Sequence, residues 1–267
     1  ATISGLALGT HAELYSAGGD IVVAGRGSQS ASAITSEKGV FALAPNINSG
    51  TGRIGVFAKS TSVNFGFSYA MYLVGGSHVD GTIITSASTE PDAITLIGDA
   101  SAATTVSSAG ILTWSGKNGG TETGVKIAAT GVGGGVTMIG SSGSAASAAN
   151  GDAVGNGVEL NYTEVLANGG PIYVEGKTNN STKAGISLGS RTTVTNNKIY
   201  FGARATNPTG VTAMVSSSSS PITLVADMIY QNTASPSEFA TTGDILVKPL
   251  NNDFAGTFNN LGMNMGT

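Results

Sequence analysis

Glu13-Leu-Tyr-Ser-Ala-Gly-Gly-Asp-Ile-Val-Val-Ala-Gly25 and Glu164-Val-Leu-Ala-Asn-Gly-Gly-Pro-Ile-Tyr-Val-Glu-Gly176 are two copies of one pattern, offset by 151 residues. The leading Glu, the central glycine pair, two aliphatics and the closing Gly coincide. The likeness extends downstream with small slips. Gly39-Val-Phe-Ala-Leu43 answers Gly185-Ile-Ser-Leu188, and Arg53-Ile-Gly-Val-Phe-Ala58 answers Lys198-Ile-Tyr-Phe-Gly-Ala203. Weaker copies stand at 106–117 and at Gly134-Gly-Val-Thr-Met-Ile-Gly140, the latter followed by Gly157-Val-Glu-Leu160. The unit reads strand, variable Ser/Ala/Asn loop, Gly-led strand, corner, strand. Self-similarity of this kind is the mark of a repeat architecture.

The rest of the chain is punctuated in the same way. Short apolar segments at 21–23, 40–43, 54–57, 94–97, 111–114, 125–127, 136–139, 158–160, 172–174, 186–188, 199–201, 222–225 and 245–247 are mostly bounded by Gly, Asn, Ser or Pro. Many alternate an aliphatic with a small or polar neighbour, the period of a strand with one buried face. No stretch keeps helical spacing for three turns without a Gly or a β-branched run, so the fold class is all-β. Propeller blades need hairpins, and two-residue Asn-Gly turns between alternating runs are scarce. Uneven loop lengths suit a coil whose rungs stack and whose loops are ejected at corners. The expectation is a right-handed parallel β-helix, a β-solenoid of roughly 10–13 rungs if each takes about 20–25 residues, spanning roughly 50–60 Å. Residues 1–267 form a single repeat segment in this reading.

Composition agrees and narrows the function classes. The 267 residues include 40 Gly, 40% are apolar, and only 10% are charged, with a net charge of −4. Disorder needs less apolar content and more charge. A collagen helix needs a Gly-X-Y period and more than 7 Pro. Twelve scattered Lys and Arg under net acidity argue against nucleic-acid binding. No apolar run reaches the ~18 residues of a membrane span, so no membrane insertion is expected. Cysteine is absent, which excludes disulfides, thiol catalysis and Cys-ligated zinc and suits a chain exported unfolded. The chain opens on Ala1 without a basic and apolar leader, and the expectation is a piece of a longer protein or of a longer fibre.

Gly-Gly-x-Ile-x-Val-x-Gly at 18–25 and 169–176, then a Ser/Ala/Asn-rich loop, then Gly-Val/Ile-x-Leu, resembles the repeats of filamentous haemagglutinin-like bacterial surface proteins. Pro221-Ile-Thr-Leu-Val-Ala-Asp227 and Thr242-Gly-Asp-Ile-Leu-Val-Lys-Pro249 resemble the closing coils of such regions, and the likeness covers most of 12–250. The resemblance implies a right-handed parallel β-helical shaft, secreted to the bacterial cell surface, with a role in adhesion, aggregation or display. It implies host or cell-surface carbohydrate as a partner. No stretch of 1–267 resembles that family's N-terminal secretion domain, and none reads as an obvious receptor-binding module.

The chemistry-bearing residues are few. A β-helical polysaccharide lyase or glycoside hydrolase is the alternative function, and hydrolysis needs two carboxylates at a set separation. The sixteen acids contain no Asp-Asp and no Asp-x-Asp, although Asp20 and an acid of a later rung can meet across the coil. Glu13 and Glu164 recur at equivalent repeat positions, which speaks for a rung position rather than an active site. His11 and His78 are the only imidazoles and read as loop residues. Gly131-Val-Gly-Gly-Gly135 lacks a following Gly-Lys-Ser/Thr and reads as corner glycines. Asn161-Tyr-Thr163, Asn179-Asn-Ser181 and Asn180-Ser-Thr182 match a glycosylation sequon of the kind chance supplies in such loops. An ice-binding face would need ranks of Thr-x-Thr, and only Thr104-Thr105, Thr192-Thr193-Val-Thr195 and Thr241-Thr242 approach that.

Two segments carry the remaining expectations. Phe65, Phe67, Tyr69 and Tyr72 lie in one strand-like run, read as core and otherwise as an exposed contact surface. The small polar run at 140–156 is expected to bulge from the rod. No cofactor, metal or catalytic residue is expected. The function predicted is a noncatalytic β-helical shaft, filament or sheath element that self-associates end to end or side by side, since neither end carries a capping helix.

Overall fold

Alternate residues of a strand face opposite sides. A chain that winds can therefore bury one face of every strand, if each turn sets apolar side chains over those of the turn before. The computed structural model describes residues 2–27, 36–61, 67–76, 81–104, 107–118, 121–143, 155–189, 199–202, 204–205, 213–214, 219–232 and 237–251, and among these there is no helix. The winding has seven rungs of three strands. Rung one holds β1 (Thr2–Leu8), β2 (Glu13–Tyr15) and β3 (Ile21–Arg26); rung two β4 (Ser36–Leu43), β5 (Asn46–Asn48) and β6 (Ile54–Lys59). Rung three holds β7 (Phe67–Val74), β8 (Thr82–Ser86) and β9 (Ile94–Ala100). Rung four holds β10 (Ser107–Trp114), an inserted hairpin of β11 (Gly116–Asn118) and β12 (Thr121–Thr123), then β13 (Val125–Ala129) and β14 (Val136–Ser142). Rung five holds β15 (Val158–Leu160), β16 (Thr163–Ala167) and β17 (Ile172–Thr178). Rung six holds β18 (Ile186–Leu188), β19 (Ile199–Gly202), a second insertion of β20 (Arg204–Ala205) and β21 (Ala213–Met214), then β22 (Ile222–Val225). Rung seven holds β23 (Ile229–Gln231), β24 (Ser237–Ala240) and β25 (Ile245–Lys248).

The first, second and third strands of each rung stack into three seven-stranded sheets, and every pairing within them is parallel; among the described residues only the two insertions pair antiparallel. The expected all-β parallel β-helix is the fold. Its register produces unbroken inner rows. In the third sheet Ile21, Ile54, Ile94, Val136, Ile172, Ile222 and Ile245 align, and two residues on, Val23, Val56, Leu96, Met138, Val174, Leu224 and Val247. The second sheet contributes Leu14, Ile47, Ile84, Ile127, Val165, Phe201 and Phe239, the last two rings stacked at 5.0 Å. The first sheet contributes Leu6, Val40, Met71, Ile111, Val158, Ile186 and Ile229. These rows form one continuous hydrophobic cluster. Each buried aliphatic contributes about 1.5–3 kcal/mol relative to exposure.

The glycines that lead the first-sheet strands have a steric cause. At the corner between third and first sheets the two backbones nearly touch: a Cβ on Gly98, Gly140 or Gly176 would lie 2.1, 2.1 or 2.0 Å from the carbonyl oxygen of Gly110, Gly157 or Gly185. Each such pair stands near the end of a third-sheet strand and near the start of the next first-sheet strand, which is why a closing Gly and a leading Gly frame the variable segment in sequence. At the opposite corner His11, Ala44, Gly81 and Tyr162 each stand two residues before aligned second-sheet residues, with φ of 65°, 48°, 72° and 49°. This tight left-handed turn places His11.

Two expectations need correction. There are seven rungs among the described residues, not ten to thirteen, and they span roughly 30 Å at ~4.8 Å per step. The estimate takes each apolar segment for most of a turn, whereas a turn needs three strands. The second can be short and polar, as in Asn46-Ile47-Asn48. The offset of 151 residues therefore spans four rungs: Ile21 and Ile172 share one row, and Glu13 and Glu164 another. The match of 53–58 with 198–203 fails for the same reason, since Ile54 lies in the third sheet and Ile199 in the second.

Candidate functional site

With the inner face committed to the core, only the outer faces and corners are left to carry chemistry. On the first sheet, Phe67 and Tyr72 are half-buried and Tyr69 is 6% exposed. Phe65 lies outside the described residues. Tyr69 packs with Ala109 and Leu112, and its ring stands 6.0 Å from Phe67 and 5.4 Å from Tyr72. Phe41, one rung earlier, stacks on Tyr72 at 5.7 Å, and the Lys38 ammonium sits 5.0 and 5.6 Å from these two ring centres. Burial pulls the Lys38 pKa below its ordinary value, and Ser36 Oγ accepts its hydrogen bond at 3.1 Å. These rings form a second, smaller apolar cluster, with Tyr69 presenting no open face.

The third sheet presents the more open surface. Its outer positions put Phe57, 41% exposed, beside Gly55 on the same strand. A Cβ on Gly55 would come within 2.7 Å of Phe57 Cε2, so the ring lies down along the sheet over the glycine and leaves its other side to solvent. Shallow depressions flank it, one lined by Ala24, Arg26, Lys59 and Ile97, the other by Val22, Arg53, Asp92 and Thr95. The signal for this ring is in the sequence: Gly-x-Phe in a strand, with Val56 between them facing inward.

Charges flank this face in ladders that cross rungs. Arg53 on rung two bridges Asp20 on rung one at 3.2 Å and Asp92 on rung three at 3.3 Å. The Arg53 backbone N–H also donates to Asp20 at 2.8 Å. That bond, followed by the guanidinium's hydrogen bond and charge, holds Asp20 below the usual carboxylate range. On the other flank Lys59 donates to Asp99 at 2.8 Å. Burial pushes Asp99 up, but the hydrogen bonds from Lys59 and Ser101 and the lysine charge outweigh it and leave its pKa lowered. Farther along the face Tyr173 donates to Glu175 at 2.5 Å. Burial first, then that bond and the carboxylate charge, push the phenol up to about 12.

No known protein family, no curated protein and no solved structure matches this chain. The site chemistry therefore rests on the residues themselves. The coil does bring Asp20 toward an acid of a later rung, Asp92, but both converge on a cation. A hydrolase needs one carboxyl kept protonated, and Asp20 is shifted the other way. Asp80, Asp152, Asp253 and His78 lie outside the described residues, as do 144–154 of the polar run. Among the described residues no cluster of His, Asp and Glu is arranged to hold a metal ion. Asn161 of the first sequon is fully buried and hydrogen-bonded. The outer row Gly55, Thr95, Thr137, Tyr173, Thr223 interrupts its threonines too often for a regular ice-matching rank.

A buried network was not legible beforehand. Glu159, 1% exposed, accepts from Asn156 Nδ2 at 2.8 Å and Asn161 Nδ2 at 3.2 Å. It sits where the β10–β15 ladder stops, at the pair Leu112 and Glu159. Its partners stand on either side of β15, Asn156 before the strand and Asn161 after it, so the network ties this short strand to both of its corners.

Proposed function

We propose that this chain is a noncatalytic β-solenoid shaft segment of an extracellular bacterial surface filament or sheath. The carrying observation is the set of unbroken inner rows through all seven described rungs. Such a body resists bending because each rung is paired with the next through all three of its strands, and it tolerates loop variation without disturbing the core. Two further observations support the setting. The chain lacks cysteine, which suits export through oxidising compartments. Its repeat also resembles filamentous haemagglutinin-like proteins.

Negative-stain imaging of native material tests the reading: continuous fibres or straight rods are expected. A globular particle, or release of sugar fragments from a polysaccharide panel that is lost on Asp20→Asn or Asp92→Asn, would replace the shaft by an enzyme.

A further inference from the structure

This inference rests on the shaft reading and names its partner. We propose that rung seven of one chain stacks on rung one of a second copy in continuous register, through a joint that like charges hold apart at neutral pH and low salt.

The two outermost described rungs are incomplete as core. Leu6, Leu14 and Ile21 on one, and Phe239, Ile245 and Val247 on the other, are only partly buried, whereas the inner rows between them are almost fully enclosed. Six large apolar side chains are exposed among the described residues, and four belong to these two rungs. They are Tyr15 at 74% and Val22 at 69% on rung one, and Tyr230 at 40% and Leu246 at 43% on rung seven. Open strand edges beside apolar surface are a template for further pairing.

The register says what would meet. Advancing each row by one step places Ile21 of the second copy over Ile245 and Leu14 over Phe239. On the outer faces it places Val22 over Leu246 and Tyr15 over the small Ala240. The backbone continues as well. Ile21 N–H donates to Arg53 C=O at 2.9 Å, and the series runs to Ile222 N–H and Asp244 C=O at 2.8 Å. The next member is Ile245 N–H with the Asp20 carbonyl of the second copy. A head-to-tail contact of this kind does not close on itself and yields filaments.

The same step sets like charges together. Glu13, Asn46, Ile83, Lys126, Glu164, Tyr200 and Glu238 form one outer row of the second sheet, so Glu238 would lie beside Glu13. In the third sheet Asp244 and Asp20 both directly precede the aligned Ile245 and Ile21, and they would be neighbours. The groups facing them give little relief. Glu13 faces Asn46 of β5, with His11 and Tyr15 nearby in sequence; Glu238 faces Tyr200 of β19. Asp20 is held by Arg53, which Asp92 also occupies, and Asp244 follows Pro221 in its row. Lys248 would stand beside Ala24, two residues from Arg26, a like pair of the opposite sign. Protonation of the carboxylates or screening by salt, whose Debye length falls to about 10 Å at 0.1 M, would close the joint.

The test uses the full chain, with sedimentation velocity and negative-stain lengths as readouts. Wild type is compared at neutral pH and about pH 4, and at about 0.02 M and 0.5 M salt. Longer end-to-end assemblies are expected at low pH and at high salt. Glu13→Lys or Glu238→Lys alone should raise neutral-pH, low-salt association about fivefold, and the double variant should return it toward wild type. Strand circular dichroism establishes that each variant is folded, and either single variant suffices if the other is not. Rods that stay monomeric in every condition and variant, or filaments indifferent to both substitutions, overturn this joint and leave the shaft reading standing. A compact particle with no rod at all removes the shaft reading itself.

Discussion

The third sheet and the first sheet enclose the same core in different ways. The third sheet fills both of its inner rows with aliphatics on all seven rungs. The first sheet has one such row, and its second runs Leu8, Ala42, Leu73, Thr113 and then Leu160, Leu188, Gln231, with hydroxyl and amide groups among the hydrocarbons. Where a sheet only has to stack, any aliphatic of similar size serves. Where the chain must turn with a ladder interrupted, polar side chains replace backbone partners. Stability that is shared over many rungs should therefore be separable from shape that is fixed at a few corners.

The sharpest way to break that distinction is at the crossing where the two sheets touch. Gly176→Val puts a branched side chain where even a Cβ would lie 2.0 Å from the Gly185 carbonyl oxygen and 2.4 Å from its carbon. The backbone has no room to yield while the rows above and below stay in register. Loss of the cooperative fold is expected, or a destabilisation above about 4 kcal/mol, measured by urea unfolding. Survival with wild-type stability would mean that the sheets do not approach this closely.

Substitution within a row should cost less. Ile94 is fully buried at the middle of the third sheet, between Ile54 and Val136. Ile94→Ala removes its outer carbons and leaves a cavity that stacked neighbours on both sides can only partly fill. A loss of about 2–5 kcal/mol is expected in urea unfolding, with strand circular dichroism unchanged. A loss near zero would mean that the row relaxes around the gap.

Much of this architecture was legible because strand alternation and a Gly-framed loop leave direct marks in sequence. Glu13 and Glu164 could be placed in one row from the repeat alone. The rung count was not legible, since β5 carries a single aliphatic and β2 reads Glu-Leu-Tyr; strands this short show no periodicity to count. The convergence of Asp20 and Asp92 on Arg53 was hidden for another reason. It depends on how many residues each turn consumes, and that varies from 23 between Ile222 and Ile245 to 50 between Ile172 and Ile222. The buried network around Thr113 depends in turn on where a ladder stops, which no local pattern announces.

That network gives the smallest and most specific of these effects. Thr113 is fully buried, and its hydroxyl lies 2.6 Å from that of Thr163. The Thr163 hydroxyl reaches the Asn161 carbonyl at 3.0 Å, and the Asn161 N–H returns to Thr113 Oγ1 at 2.8 Å. With one proton on each hydroxyl, the three contacts close a ring in which Thr113 donates to Thr163, Thr163 donates to Asn161, and Asn161 donates to Thr113. Thr113→Val keeps the shape and removes one donor and one acceptor from that ring. Leaving a buried group without its partner costs about 1–3 kcal/mol, against little change in apolar packing. Thr113→Ser keeps the hydroxyl and loses a methyl, worth about 1 kcal/mol. If the first sheet is held at this corner by hydrogen bonding, Val should be the worse substitution although it is the more apolar. The amide protons of Asn161 and its neighbours should then exchange faster in the Val variant alone. If Ser proves worse, packing governs here as it does in the third sheet, and the contrast between the two sheets disappears.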